Sequence, residues 1–305
     1  MEEKVAIRTV GLRKSYGPVQ ALRGVDLAVG RGEIFGFLGP NGAGKTTTIR
    51  CLLDLIRPDA GTIRVLGIDP QVDPVTVRRR TGYLPGELSL EQNLTAATLL
   101  RYLVELQGDE VEWSFVQRLA ERLELNLERP IKNLSKGNKQ KVGVIQALMA
   151  RPTLLLLDEP TAGLDPLMQQ EVYRLLREAR EAGATVFFSS HIIGEVEALA
   201  DRVAILREGV VVEEATPKQL TQLTMRRVHV HFCRPVDVQG LERLPGVSVA
   251  GHNGEQATLQ VEGKMDGLVK ALAAYPISDL STESVSLEQI FLTYYGAGKP
   301  AQEVD

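Results

Sequence analysis

The sequence predicts two domains: a larger α/β domain with a parallel core sheet, an antiparallel β layer and a helical insertion, followed by a smaller α+β domain. Three observations carry this. A glycine-rich run, Gly39-Pro40-Asn41-Gly42-Ala43-Gly44-Lys45-Thr46-Thr47, stands between a short apolar stretch at 33–38 and the start of a helix at 47–55. A four-leucine run at 154–157 ends in two carboxylates, Asp158 and Glu159. Beyond about residue 220 the character changes to short alternating strands separated by two helical segments. A chain of 305 residues is long for one core and accommodates a domain of about 200 residues plus a smaller one.

Residues 5–29 are extended and broken by Tyr16-Gly17-Pro18, the pattern of an antiparallel layer. Tyr16 there either packs as core or offers its face to a nucleotide base, a stack worth about 1–3 kcal/mol. The Gly-x4-Gly-Lys-Thr run after the 33–38 strand is a phosphate-binding loop (P-loop). Its glycines let successive N–H groups point inward, the helix N-terminus adds positive potential, Lys45 reaches the terminal phosphates and Thr46 offers a hydroxyl to Mg2+. Arg57-Pro58-Asp59-Ala60-Gly61 ends the helix and 62–66 returns as a strand. Leu99, Leu103 and Leu106 recur at helical spacing within 91–106, and a second helix is predicted over 114–125. With a third at 142–149 they form an insertion over about 86–150.

Asn133-Leu134-Ser135-Lys136-Gly137-Asn138 precedes that third helix, and its Ser and Asn read first as helix caps. The leucine run that follows reads as a parallel strand buried on both faces. Ligands of open α/β sheets lie at the carboxyl ends of the strands, so Asp158 and Glu159 fall where the phosphates belong. Asp165 lies in a turn before a solvent-facing helix at 167–182, and a strand at 184–188 leads to Ser189-Ser190-His191. His191 thereby also stands at a strand end beside the phosphate loop. A helix at 193–200, a strand at 202–206 and a hairpin around Gly209 complete this domain. Strands at 227–232, 247–250, 257–261 and 280–285, with helices at 236–244 and 268–274, give the order βαββαβ of a ferredoxin-like domain. His229 and His231 share a strand face without a further ligand cluster, and no metal site is assigned to them.

The net charge of −4 is spread along the chain and excludes the electrostatic footprint of a general nucleic-acid binder. Cys51 and Cys233 lie far apart and read as reduced cytosolic thiols. The N-terminus lacks the pattern of a signal peptide, and no apolar run is long enough to cross a bilayer.

Over residues 5–223 these motifs, in this order, resemble the nucleotide-binding subunit of an ABC (ATP-binding cassette) transporter. The resemblance implies a P-loop NTPase ABC cassette at 1–223 and an accessory domain at 224–305. It makes 39–47 the Walker A motif, 154–159 the Walker B motif, Tyr16 the adenine platform, Asp165 part of the D-loop and His191 the switch histidine. Leu134-Ser135-Lys136-Gly137-Asn138 stands at the signature sequence, usually Leu-Ser-Gly-Gly-Gln. Lys136 and Asn138 depart from that pattern, while Ser135 and Gly137 keep it. The family's Q-loop glutamine falls at Gly86, so Glu87 is expected to take over contact with Mg2+.

By this resemblance Glu159 is the general base for ATP hydrolysis, assisted by His191 and Lys45, and Thr46 and Asp158 hold Mg2+. Ser135, Gly137 and Asn138 complete the site of a facing subunit, which requires a homodimer or a pair with a similar chain. The implied partner is a polytopic membrane subunit, with the ATPase at the cytoplasmic face of the membrane. The segment Ser286-Leu287-Glu288-Gln289-Ile290-Phe291-Leu292-Thr293-Tyr294-Tyr295 resembles the closing helix of ABC-2 type ATPases, whose membrane subunits are mostly exporters, multidrug and antibiotic exporters among them. The alternative is a soluble ABC ATPase acting on ribosomes or nucleic acid. Members of those groups usually carry two cassettes or long coiled-coil insertions, and neither occurs here.

Overall fold

The computed structural model describes residues 4–107, 111–222, 226–261 and 265–284. The chain divides into two compact units, Met1–Thr216 and Pro217–Asp305. The division precedes the expected 223/224 boundary because the short helix starting at Pro217 groups with the second unit.

The first unit opens with β1 (Val5–Tyr16) and β2 (Val19–Gly30), an antiparallel hairpin, then β3 (Ile34–Leu38) and α1 (Lys45–Leu52). β4 (Ala60–Val65) pairs antiparallel with β1, so β2, β1 and β4 form the separate β layer. Next come α2 (Pro74–Arg79), β5 (Thr81–Leu84) and the insertion helices α3 (Ala96–Gln107), α4 (Trp113–Arg122) and α5 (Lys136–Leu148). The unit closes with β6 (Leu154–Asp158), α6 (Pro166–Glu181), β7 (Thr185–Ser190), α7 (Ile193–Leu199), β8 (Arg202–Arg207) and β9 (Val210–Ala215).

The core sheet has the order β5-β6-β7-β3-β8-β9, parallel except for the antiparallel β9. Every residue of β3, β6 and β7 is buried. That burial is why these strands read as unbroken apolar runs rather than alternating ones. β7 lies between β3 and β6, and Phe187 packs against Phe35 (ring centroids 5.8 Å) and Phe37 (5.3 Å). Truncating a buried aromatic of this kind costs about 3–5 kcal/mol. The parallel register brings the carboxyl ends of β3, β6 and β7 to one edge, where the phosphate loop, Asp158 and Ser190 emerge.

Capping explains where the helices differ from their predicted spans. Gly44, at φ 111°, starts α1 at Lys45, and Thr95 Oγ1 accepts the Thr98 N–H (3.1 Å) so that α3 begins at Ala96 rather than 91. Ser135 Oγ accepts the Asn138 N–H (3.2 Å), which starts α5 at Lys136, well before the predicted 142. The insertion is tied to α6 by Arg122, whose Nε binds Glu171 (2.6 Å) and whose two Nη atoms bind Glu178 (2.5 and 2.7 Å).

The second unit has α8 (Pro217–Gln222), β10 (Arg226–Phe232), β11 (Val247–His252), β12 (Gln256–Val261), α9 (Asp266–Leu272) and β13 (Ile277–Ser284). Its sheet is antiparallel in the order β11-β12-β10-β13 around Val228, Val230, Leu259, Leu268 and Leu272. The helix predicted at 236–244 is a single 3-10 turn, Leu241–Arg243. The Val236 N–H donates instead to the Gly254 carbonyl (3.0 Å), which leads the segment along as extended chain. The expected closing helix from Ser286 lies outside the described residues. No helix among the described residues is long and apolar enough to cross a membrane.

Candidate functional site

A cavity of about 410 Å³ opens at the strand ends. Asn41, Gly42, Gly44, Lys45, Thr46 and Thr47 form its floor, with Asp158 and Glu159 on one side and Tyr16 on another. Gly39, Pro40 and Ala43 belong to the same loop without lining the cavity. Gly44 needs its positive φ, and a Cβ there would meet the Ala21 carbonyl oxygen at 2.6 Å. Tyr16 is 47% exposed, an unusual setting for a core aromatic and a suitable one for a stacking face. The Asp59 carboxylate holds its approach, accepting from Lys14 Nζ (2.9 Å) and the Ser15 N–H (2.6 Å).

Lys45 is 6% exposed and folds back on its own loop, donating to the carbonyls of Gly39 (2.6 Å) and Pro40 (3.0 Å). Burial pulls its ammonium below the usual lysine range, and the charges of Glu159 and Asp158 partly oppose that shift. Thr46 Oγ1 donates to Asp158 Oδ2 at 2.6 Å, and Ser189 Oγ donates to Asp158 Oδ1. A hydroxyl beside a carboxylate is the hard-oxygen donor set that Mg2+ prefers, so these residues fit the ion.

Glu159 sits just past β6 at φ 53°, a conformation that costs a non-glycine residue about 1–3 kcal/mol. Its backbone is held on every side. The N–H donates to Ser189 O and Ser189 Oγ (both 3.2 Å), while the carbonyl accepts from Gln140 Nε2 (2.9 Å) and the Ala162 N–H (3.2 Å). Its carboxylate Oε1 lies 2.9 Å from His191 Nδ1. The base expected from Walker B and the histidine expected from the next strand therefore form one pair.

The signature residues are brought to the D-loop, not to this chain's own phosphate cavity. A Cβ on Gly137 would fall 2.6 Å from the Gly163 carbonyl oxygen, so glycine is what lets the two turns touch. Ser135 is exposed and caps α5, Asn138 lies in that helix's first turn, and exposed Asp165 caps α6 by accepting from the N–H groups of Leu167 and Met168 (both 3.1 Å). Gly86 lines the cavity, and a Cβ there would approach Asp158 Oδ2 to 2.9 Å. The chain thus places bare backbone beside Asp158 where the family has a glutamine. Glu87 is exposed and lies outside the lining of the cavity.

Sequence reasoning missed Gln140. It is 6% exposed and spans from α5 to the carbonyls of Glu159 (2.9 Å) and Pro160 (3.2 Å), fixing the turn that carries Glu159. Its only sequence signal is a glutamine on the buried face of α5 just after the signature. Gln140→Leu keeps the bulk and removes both donors. We expect it to lower the turnover of ATP on the order of tenfold, with little change in ATP affinity, as steady-state kinetics and equilibrium nucleotide binding will show.

Comparison with known proteins follows the same lines. A protein-family profile described as "ABC transporter" matches residues 22–162. The daunorubicin/doxorubicin resistance ATP-binding protein DrrA of Streptomyces peucetius is 34% identical over 98% of this chain and 94% of its own length. The bacitracin transport ATP-binding protein BcrA of Bacillus licheniformis is 39% identical over 68% of this chain and 69% of its own. Among solved structures, an ATP-binding subunit of an ABC transporter superposes with a TM-score of 0.65 at 31% identity, covering 71% of this chain and 92% of that one. With the phosphate loop, the buried Asp158 and the Glu159–His191 pair at one edge of its sheet, the chain belongs to the ABC transporter family as one of its ATP-binding ATPases.

Proposed function

We propose that this chain powers an export-type transporter, hydrolysing ATP at the cytoplasmic face of the membrane to move a separately encoded polytopic membrane subunit. The observation that carries the catalytic part is the 2.9 Å contact between Glu159 and His191 beside the phosphate loop. Glu159 takes the proton of the attacking water, and His191 holds that carboxylate and orients the water against the γ-phosphate. Lys45 leaves the loop carbonyls to bind the β- and γ-phosphates, the loop N–H groups bind the rest of the phosphate chain, and Tyr16 stacks on the adenine. Thr46 and Asp158 hold Mg2+, which when bound neutralises charge on the phosphate oxygens.

Two copies, or this chain and a similar one, close head to tail over two ATP molecules. Ser135, Gly137 and Asn138 of one cassette then reach the γ-phosphate bound by the other, with Asp165 at the junction. The exposure of Ser135 and Asp165, on turns that pack together outside their own chain's cavity, supports this reading. Export is favoured by the roles of the relatives, daunorubicin/doxorubicin resistance for DrrA and bacitracin transport for BcrA. The accessory domain that follows the cassette serves assembly of the dimer.

Glu159→Gln keeps the shape of the base and removes its basicity. We expect it to abolish turnover while retaining ATP binding, and to co-purify from native membranes with a polytopic membrane protein. Recovery of ribosomes or nucleic acid without a membrane protein would favour the soluble alternative. Glu87 is assigned to Mg2+, through water, after the closure that ATP induces. Glu87→Ala should then raise the Mg2+ concentration needed for half-maximal hydrolysis by about threefold or more, and an unchanged Mg2+ titration would remove Glu87 from the metal site.

A further inference from the structure

α7 carries a carboxylate that the reaction above does not use. Glu195 lies one turn beyond His191, is 5% exposed, and forms no ion pair with lysine or arginine among the described residues. Its two oxygens are spoken for by hydroxyls from two different segments, the turn after β6 and the end of β7. Oε1 accepts from Thr161 Oγ1, and Oε2 accepts from Ser190 Oγ at 2.5 Å. Both hydroxyl residues are buried as well.

Where those hydroxyls sit in the chain gives the contact its meaning. Thr161 follows Glu159 by two residues and begins the turn that runs to Asp165. Ser190 ends β7 and immediately precedes His191, and its Oγ also accepts the Ile192 N–H (2.9 Å). One carboxylate therefore bridges the loop that carries the base and the loop that carries its histidine. The helix bearing it is itself anchored, since Arg177 Nη2 of α6 donates to the Ala198 carbonyl at 2.5 Å. Tyr173 of α6 is close enough that burial first, and the Glu195 charge second, push its phenol up to about 12. A carboxylate buried without a cation is tolerated only where donors meet both oxygens, so the two hydroxyls and the carboxylate hold each other in place.

We propose that Glu195 is a positioning residue that clamps the Glu159 loop to the His191 loop, keeping the base and its histidine in the register that hydrolysis needs. The proposal rests on the assignment of Glu159 and His191 to hydrolysis made above. Such a clamp acts on turnover and leaves nucleotide binding alone, because Lys45, Thr46 and Tyr16 are held by other contacts.

The test is the pair Thr161→Val and Thr161→Ser in the full-length protein, with Ser190→Ala and with Glu159→Gln as control. Steady-state hydrolysis of Mg-ATP and equilibrium binding of a non-hydrolysable ATP analogue are measured for each. Thr161→Val, which keeps the shape and loses the donor, should lower kcat on the order of tenfold. KM and analogue affinity should stay within about twofold, and Thr161→Ser should stay near wild type. The double variant Thr161→Val/Ser190→Ala should lose less than the product of the single losses, since both act through Glu195. If Thr161→Val does not fold, Glu195→Gln, which keeps the shape and one acceptor, carries the same comparison. Wild-type kcat in Thr161→Val, an equal loss of analogue affinity, or multiplicative losses would each overturn the clamp while leaving the hydrolytic assignment intact. Wild-type turnover in Glu159→Gln would overturn both.

Discussion

The phosphate end of the cassette depends on one buried charge. Asp158 is 1% exposed at the last position of β6, and a carboxylate taken out of water must be matched by donors on each oxygen. Thr46 from the first turn of α1 serves one oxygen and Ser189 from β7 serves the other. The same two hydrogen bonds stitch the phosphate loop to β6 and β6 to β7. Ser189 also takes the Glu159 N–H on its hydroxyl, so the proposed base is placed by the residue that satisfies Asp158. Even the bare backbone at Gly86 follows from this crowding, because a side chain there would press on Asp158.

Beyond Asp158 the chain repeats the device. Glu195 is a second buried carboxylate met by hydroxyls, those of Thr161 and Ser190. The backbone of Glu159, next to Asp158 in the chain, is held in a left-handed conformation that an isolated chain would avoid. Gln140 and Ser189 complete its restraint from α5 and β7. Strain at the base is sustained because the surroundings over-determine it. On the proposed function these restraints act where proton transfer takes place, and Lys45, which donates to the carbonyls of its own loop, exchanges those partners for phosphate oxygens.

The sequence made the local signals legible. Gly39 to Thr47 is a contiguous pattern, the leucine run before Asp158 shows its own burial, and His191 is placed by the strand that precedes it. The parallel core sheet and the separate β layer follow from those runs and from the broken extended pattern of 5–29. Contacts between distant segments were not legible. Gln140 meets Glu159 across 19 positions and Thr161 meets Glu195 across 34, and no spacing in the chain announces either. Helix starts were misplaced where a cap outranked the apolar periodicity, as at Ser135. The helix expected at 236–244 yielded because Val236 had a better backbone partner in Gly254. Glu87 was chosen for being an acid beside the missing glutamine; it is exposed and does not line the cavity, so its proposed contact with Mg2+ depends on closure over the nucleotide.

The central claim is that hydrolysis occurs at a site assembled from two copies, with the phosphate loop of one facing the signature turn of the other. Mixing two inactive variants tests it most directly. Lys45→Ala disables the phosphate loop and Ser135→Arg blocks the signature, so each homodimer contains no intact site. In the mixed dimer, the phosphate loop of the Ser135→Arg chain faces the native signature of the Lys45→Ala chain. The account predicts that both variants are inactive alone and that equimolar mixing restores ATP hydrolysis. Full activity of Ser135→Arg by itself, or a mixture as inactive as its components, would contradict it.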